Sequence, residues 1–318
     1  MTLCSWLQWQ IDYLLILQNF RDLSNHVFDN FFLFITTFGE TLIPIMLITL
    51  IYWCVNKKLG QFLLWNYAIG FVINTFLKIT ACIYRPWILS CNVHPLPQAI
   101  PGAGGYSFPS GHTTEAVAVW GGLAYWCKNN KWIVSVALTI MLLIMFSRNY
   151  LGVHTPQDVV VSFIIGCCLL FGIDKIIKYI DDNKNADLVV VSVVTASIAI
   201  LLPYLFLKSY PCDYVNGKIL YDTFGMKLFS SAKSFCVLGL FWGWLIEKRY
   251  IKFSAETGSL INKILRYIIG ILVLCLLLQF DKYLGSFGNI FINNMILYFI
   301  IGLYITLIHP YLFSKFVK

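Results

Sequence analysis

Apolar residues run along this chain in blocks close to 20 residues long, separated by short breaks that carry charges or turn formers. A block of that length matches the rise of a helix across the hydrocarbon core of a bilayer. The pattern predicts about nine membrane-spanning helices, near residues 42–56, 60–80, 111–127, 132–150, 157–177, 187–207, 227–246, 264–280 and 290–309. Residues 1–39 read differently, because the stretch from Trp6 to Gly39 mixes Trp and Leu with polar positions. It is expected to form an interfacial amphipathic helix followed by a partly inserted one. No internal repeat, low-complexity segment or long linker divides the rest, so residues 40–180 and 181–318 are read as two parts of one membrane domain. The expected fold class is all-α, a polytopic transmembrane helical bundle.

Composition agrees with that reading. Of the 318 residues 59% are apolar and 12% charged, where a soluble domain carries about 25% charged residues, and the mean hydropathy is +0.75. The first thirty residues include Asp12, Arg21, Asp22 and Asp29 and lack the basic start and clean apolar block of a cleavable signal, so targeting is expected from the spans themselves. Alternating nine spans puts fourteen of the 23 basic residues on one side, among them Lys57, Lys58, Lys248 and Arg249. By the excess of Lys and Arg in short cytoplasmic loops, that side is the cytoplasm. The net charge of +8 is then a topology signal, and no basic run has the length or aromatic interleaving of a nucleic-acid site. Most of the ten Cys fall inside spans, where a thiol packs as a small apolar group. Cys82, Cys91 and Cys212 lie in outward loops, where a Cys91–Cys212 or Cys82–Cys91 disulfide fits the compartment.

Three strings change the picture from membrane protein to chemistry. Lys78 is followed by Arg85-Pro86, then come Pro109-Ser110-Gly111-His112, then Ser147-Arg148, His154 and Asp158. Two Arg and one Lys can hold phosphoryl oxygens, while two His and an Asp can supply a nucleophile, a general acid and an orienting group. Ser110 reads as an N-cap, so the backbone N–H groups of Gly111, His112 and Thr113 open a helix whose dipole favours an anion, with Gly111 allowing close approach. Thr155 and Pro156 read as the cap and first position of the next helix. Asp158 can then turn back toward His154 and orient its imidazole. Residues 90–108, rich in Pro and Gly, are expected to form a flexible lip whose apolar side chains meet a substrate. Glu115, one turn into the helix after His112, is expected either to hydrogen-bond inside the bundle or to pair with Lys78 or a neighbouring motif charge and raise the proton affinity of His112.

In order, spacing and identity these strings resemble the type 2 phosphatidic acid phosphatase (PAP2) family of integral membrane phosphatases. The resemblance implies a PAP2-type catalytic core over roughly residues 40–180, with later spans added to it. It implies that His154 is a nucleophile forming a phosphohistidine, that Asp158 orients it, and that His112 protonates the leaving oxygen and then activates water. Lys78, Arg85 and Arg148, joined by Ser110 and the Gly111 N–H, would bind the phosphoryl oxygens. No cofactor or metal is expected, since His26, His94 and His309 are scattered and the outward loops lack clustered carboxylates. The nine-span layout is similar to that of glucose-6-phosphatase and sphingosine-phosphate phosphatases. A phosphorylated lipid is the expected substrate, cleaved on the extracellular, periplasmic or lumenal side. A soluble sugar phosphate, transfer to an acceptor other than water, and an inactive transporter or scaffold are the alternatives.

Overall fold

The computed structural model describes residues 5–211, 214–215, 218–219, 222–284 and 289–316. Its helices are α1 Ser5–Leu23, α2 Asp29–Thr37, α3 Leu42–Leu50, α4 Lys57–Ala81, α5 Pro86–Leu89, α6 Gly111–Ala116, α7 Gly122–Trp126, α8 Lys131–Tyr150, α9 Pro156–Asp182, α10 Ala186–Leu207, α11 Thr223–Ile246, α12 Leu260–Leu284, α13 Ile290–Leu303 and α14 His309–Phe316. A two-residue antiparallel pair, Tyr214–Val215 with Lys218–Ile219, is the β-structure among the described residues.

Among the described residues, seven helical stretches are long and apolar enough to cross a membrane: Lys57–Leu89, Lys131–Tyr150, Pro156–Asp182, Ala186–Leu207, Thr223–Ile251, Leu260–Phe280 and Ile290–Lys315. The chain is thus an all-helical integral membrane protein. The expected span over 42–56 is half of a longer feature, because Asp29–Thr37 and Leu42–Val55 form a pair bent by 45° that counts as an eighth crossing if it is one span. The expected span over 111–127 is α6 and α7 joined by a π-helical turn at Val117–Gly121. This run, 111–126, is too short for the same test.

Caps predicted from the sequence are in place. Ser110 Oγ accepts from Thr113 N at 3.3 Å at the start of α6. At the start of α9, Asp158 Oδ2 accepts from Thr155 N at 2.9 Å, and Asp158 N lies 3.4 Å from Thr155 Oγ1, a reciprocal pair of the capping-box kind. Asn130, a cap not predicted from the sequence, caps α8 by accepting from Trp132 N and Ile133 N.

The chain divides into two units that interleave in sequence. One comprises Met1–Pro44, Trp65–Gly172 and Ser209–Thr223; the other comprises Ile45–Leu64, Ile173–Lys208 and Phe224–Lys318. In the first unit, Phe32 of α2 packs on Tyr150 with ring centroids 4.3 Å apart. Leu96, Ala99, Ala103, Leu151 and Val153 complete that buried cluster. The 90–108 loop is therefore packed rather than a free lip: Leu96 N bonds to Leu151 O at 3.1 Å, and Val93, Leu96 and Tyr106 are core residues. Ile100 stays exposed, with Trp87, Ile88, Leu89 and Phe108 partly so. Helix α1 braces this loop through Arg21 Nη2, which donates to His94 O, and Gln18, which pairs with the backbone of Asn92 and His94. Cys82 and Cys91 are free thiols, so the Cys82–Cys91 disulfide is absent, and Cys212 lies outside the described residues.

In the second unit, α11 and α13 cross at Gly239, Gly243 and Gly302. A Cβ on Gly239 would run into Phe299 O, one on Gly243 into Thr306 Oγ1, and one on Gly302 into Cys236 O. Trp53 donates to Ile305 O and packs on the buried His309 ring, which contacts the Tyr304 hydroxyl at 3.1 Å. Lys57 pairs with the buried Glu247 at 2.7 Å.

Candidate active site

All eight motif residues belong to the first unit. Lys78, in the last turn of α4, donates to three carbonyls of the segment entering α6: Tyr106 at 2.7 Å, Pro109 at 2.9 Å and Ser107 at 3.4 Å. It pins that segment to α4. Arg85, just ahead of α5, is buried and likewise tied to backbone. Its Nε donates to Gly105 O, Nη2 to Gly104 O, and Nη1 both to Val153 O and toward His154 Nε2, each at 2.9 Å.

His154 sits in the turn between α8 and α9, 1% exposed, with its backbone carbonyl held by Asn149 Nδ2 at 2.9 Å. Nδ1 lies 3.2 Å from Asp158 Oδ2. A carboxylate can only accept, and Arg85 can only donate, so the network assigns the proton to Nδ1 and the lone pair to Nε2. Burial, and then the positive charges of Arg85, Arg148 and Lys78, hold this imidazole well below its ordinary range, hence neutral. Asp158 Oδ2 also accepts from Ser107 Oγ at 2.5 Å, so the orienting carboxylate is itself oriented.

Arg148 closes α8 with 1% exposure. Its Nη1 donates to Thr36 Oγ1 of α2 at 2.6 Å, whereas Nε and Nη2 are buried without a hydrogen-bond partner. His112 Nε2 is buried and unpartnered as well, 3.9 Å from Glu40 Oε1. Above Gly111 a Cβ would meet nothing within 4 Å, so backbone at the start of α6 stays open to close approach. Unpaired donors of this kind, at a helix start and beside a neutral imidazole with a lone pair, suit a tetrahedral anion. Among the described residues no group of three His, Cys, Asp or Glu is placed to hold a metal.

A PAP2 superfamily profile matches residues 60–182, and a second profile, the transmembrane extension of PAP2 superfamily phosphatases, matches 235–317. The undecaprenyl-diphosphatase BcrC of Bacillus subtilis is 32% identical over 163 residues, which are 49% of this chain and 79% of that protein. The chain belongs to the PAP2 superfamily. The undecaprenyl-diphosphatase of Sulfolobus acidocaldarius is 28% identical over 116 residues, 36% of this chain and 54% of that protein. The phosphatidylglycerophosphatase B of Bacillus subtilis is 38% identical over 84 residues, 23% of this chain and 41% of that protein. The chain thus spans about half the length of these last two relatives. No solved structure matches it significantly.

The PAP2 profile contains the three motifs but starts after two residues that reach the site. Thr36, which takes one Arg148 donor, comes from the 1–39 segment expected to be interfacial or partly inserted, and Glu40, which faces His112, is the first residue after it. Ser107, on Asp158, lies inside the profile but between motifs. No local spacing marks any of the three. A Thr on a short apolar helix, a turn Glu after Gly39 and a Ser next to Phe108 look like ordinary helix and loop chemistry.

Proposed function

We propose that this PAP2 protein is a phosphatase that releases phosphate from a phosphorylated membrane lipid, monoester or diphosphate, through a phosphohistidine on His154. The observation that carries the proposal is the pair of unpartnered buried Arg148 donors beside the neutral, Asp158-oriented His154. The His154 Nε2 lone pair attacks phosphorus and the bond to the leaving oxygen breaks. His112 gives that oxygen a proton, then takes one from water as water opens the phosphorus–nitrogen bond. Arg148 and the α6 start hold the phosphoryl oxygens where charge builds up. Arg85 turns from His154 toward phosphate. Lys78 contributes its charge while keeping the 106–109 segment in place.

The names of the relatives put a polyprenyl diphosphate and phosphatidylglycerophosphate first among the lipids to test. Apolar Ile100, Trp87 and Phe108, with few polar groups nearby to read sugar hydroxyls, favour a lipid over a sugar phosphate. The nine-span layout that suggested a sugar phosphate has no support in the seven or eight spans described. The excess of basic residues on one side of the expected spans supports a site on the non-cytoplasmic face. The test is phosphate release by purified protein from both lipids and from glucose 6-phosphate in one detergent. Specificity constants for a lipid should exceed the sugar phosphate by at least about tenfold, and His154→Ala should abolish release. A sugar phosphate that equals every lipid would overturn the substrate assignment.

A further inference from the structure

Glu40 stands in the break between α2 and α3, outside every motif string and outside the PAP2 profile. Its approach to His112 is built into the backbone. Gly39 lies so close to the first turn of α6 that a Cβ there would come 3.3 Å from His112 O and 2.7 Å from Ile144 Cγ2. Any side chain at 39 would push the turn, and Glu40 with it, off the helix. On the other side Trp120 Nε1 donates to Phe38 O at 3.0 Å, tying the same turn to the π-helical stretch that follows α6. Thr36, in the last turn of α2, takes Arg148. The turn is thus fixed against both the acid–base and the anion-binding halves of the site.

The groups facing His112 are Arg148 from α8, Arg85 from the chain before α5, the neutral His154 from the α8–α9 turn, and Glu40. Glu115 lies three residues further along its own helix. Burial and the Arg148 guanidinium push the free His112 imidazole down to about 3, and Glu40 pulls the other way. A group that must donate a proton needs that pull, to which a bound phosphoryl dianion would add.

We propose that Glu40, whose Oε1 lies 3.9 Å from His112 Nε2, is the positioning residue of His112, its negative charge stabilising the imidazolium that protonates the leaving oxygen. The proposal rests on the phosphatase reading above. In it His112 loses its proton to the oxygen that keeps the electron pair of the broken phosphorus–oxygen bond, and Glu40 stays a carboxylate throughout. Since the Glu40 side chain is 47% exposed, the isosteric Glu40→Gln change keeps the fold.

The test uses the full chain in detergent, with an alkyl-chain lipid phosphate and p-nitrophenyl phosphate as substrates. Glu40→Gln should lose at least about tenfold more kcat on the alkyl ester, whose leaving oxygen needs the proton, than on the aryl ester. Its basic pH limb should move to lower pH, and Glu40→Asp should recover part of both effects. Equal losses on the two esters with an unmoved basic limb would overturn the proposal. Histidine NMR reads the pairing without turnover: the His112 titration should drop in Glu40→Gln, and an unchanged titration overturns the idea. Wild-type protein that releases no phosphate from any ester would sink the phosphatase reading instead, and the His112 titration would still decide on Glu40.

Discussion

His154 is held neutral by burial and by three neighbouring cations, and this fixes what the pH profile can report. The free nucleophile does not take up a proton as the medium becomes mildly acidic, so the acid limb of kcat/KM belongs to the substrate phosphate, whose second ionisation lies near about 6. Two esters whose phosphate ionisations differ should show acid limbs displaced by the same difference; coincident limbs would point back to an enzyme histidine. Arg148 yields a second prediction. Its Nε and Nη2 have no protein partner and Nη1 is fixed by Thr36, so Arg148→Lys, which loses the planar fork, should cost about a hundredfold in kcat/KM. Thr36→Val should cost about tenfold, with Arg148 still present but less well aimed. Equal activity of Thr36→Val and wild type would remove α2 from the site. The motif side chains were legible in the sequence because their types and intervals are chemically unusual in an apolar chain. Their partners were not. Thr36 meets a residue 112 positions away and Ser107 one 51 positions away, and Lys78 meets anonymous backbone carbonyls, which a sequence cannot display.

Helices were found from the sequence wherever an apolar run had spanning length, because burying backbone in lipid leaves little alternative. Errors arose where a helix is interrupted. The turn at residues 38–41 breaks one long apolar stretch into α2 and α3, so its first half reads as only partly inserted, and the π-helical turn in 111–126 leaves a run that is short by length. The α11–α13 crossing was also missed, although Gly239 and Gly243, four apart, are the small-residue spacing that lets membrane helices touch. A Cβ at Gly239 or Gly302 would run into backbone, which cannot swing aside. Gly239→Val and Gly302→Val should each destabilise the protein by about 1–3 kcal/mol, read as a lower melting temperature in detergent. A Val variant that melts with wild type would mean the two backbones are not in contact.

For the molecule as a whole, sidedness and metal dependence follow from charge placement. Cys91 is free and exposed, in a loop proposed to face outside. An impermeant maleimide should label it in intact cells; labelling only after permeabilisation would invert the orientation and move catalysis to the cytosol. A site whose anion clamp is made of Arg and Lys should keep its activity in a strong chelator and lose it to vanadate. Activity lost in chelator and restored by magnesium would reveal a ligand set beyond these residues. The Arg85 guanidinium meanwhile donates to His154 Nε2, the nitrogen that would attack phosphorus. His154 in this way carries its own protecting group. An uncharged acylating reagent meets a lone pair that is already engaged, whereas a phosphate, by drawing the guanidinium to itself, unmasks the nucleophile it is about to meet.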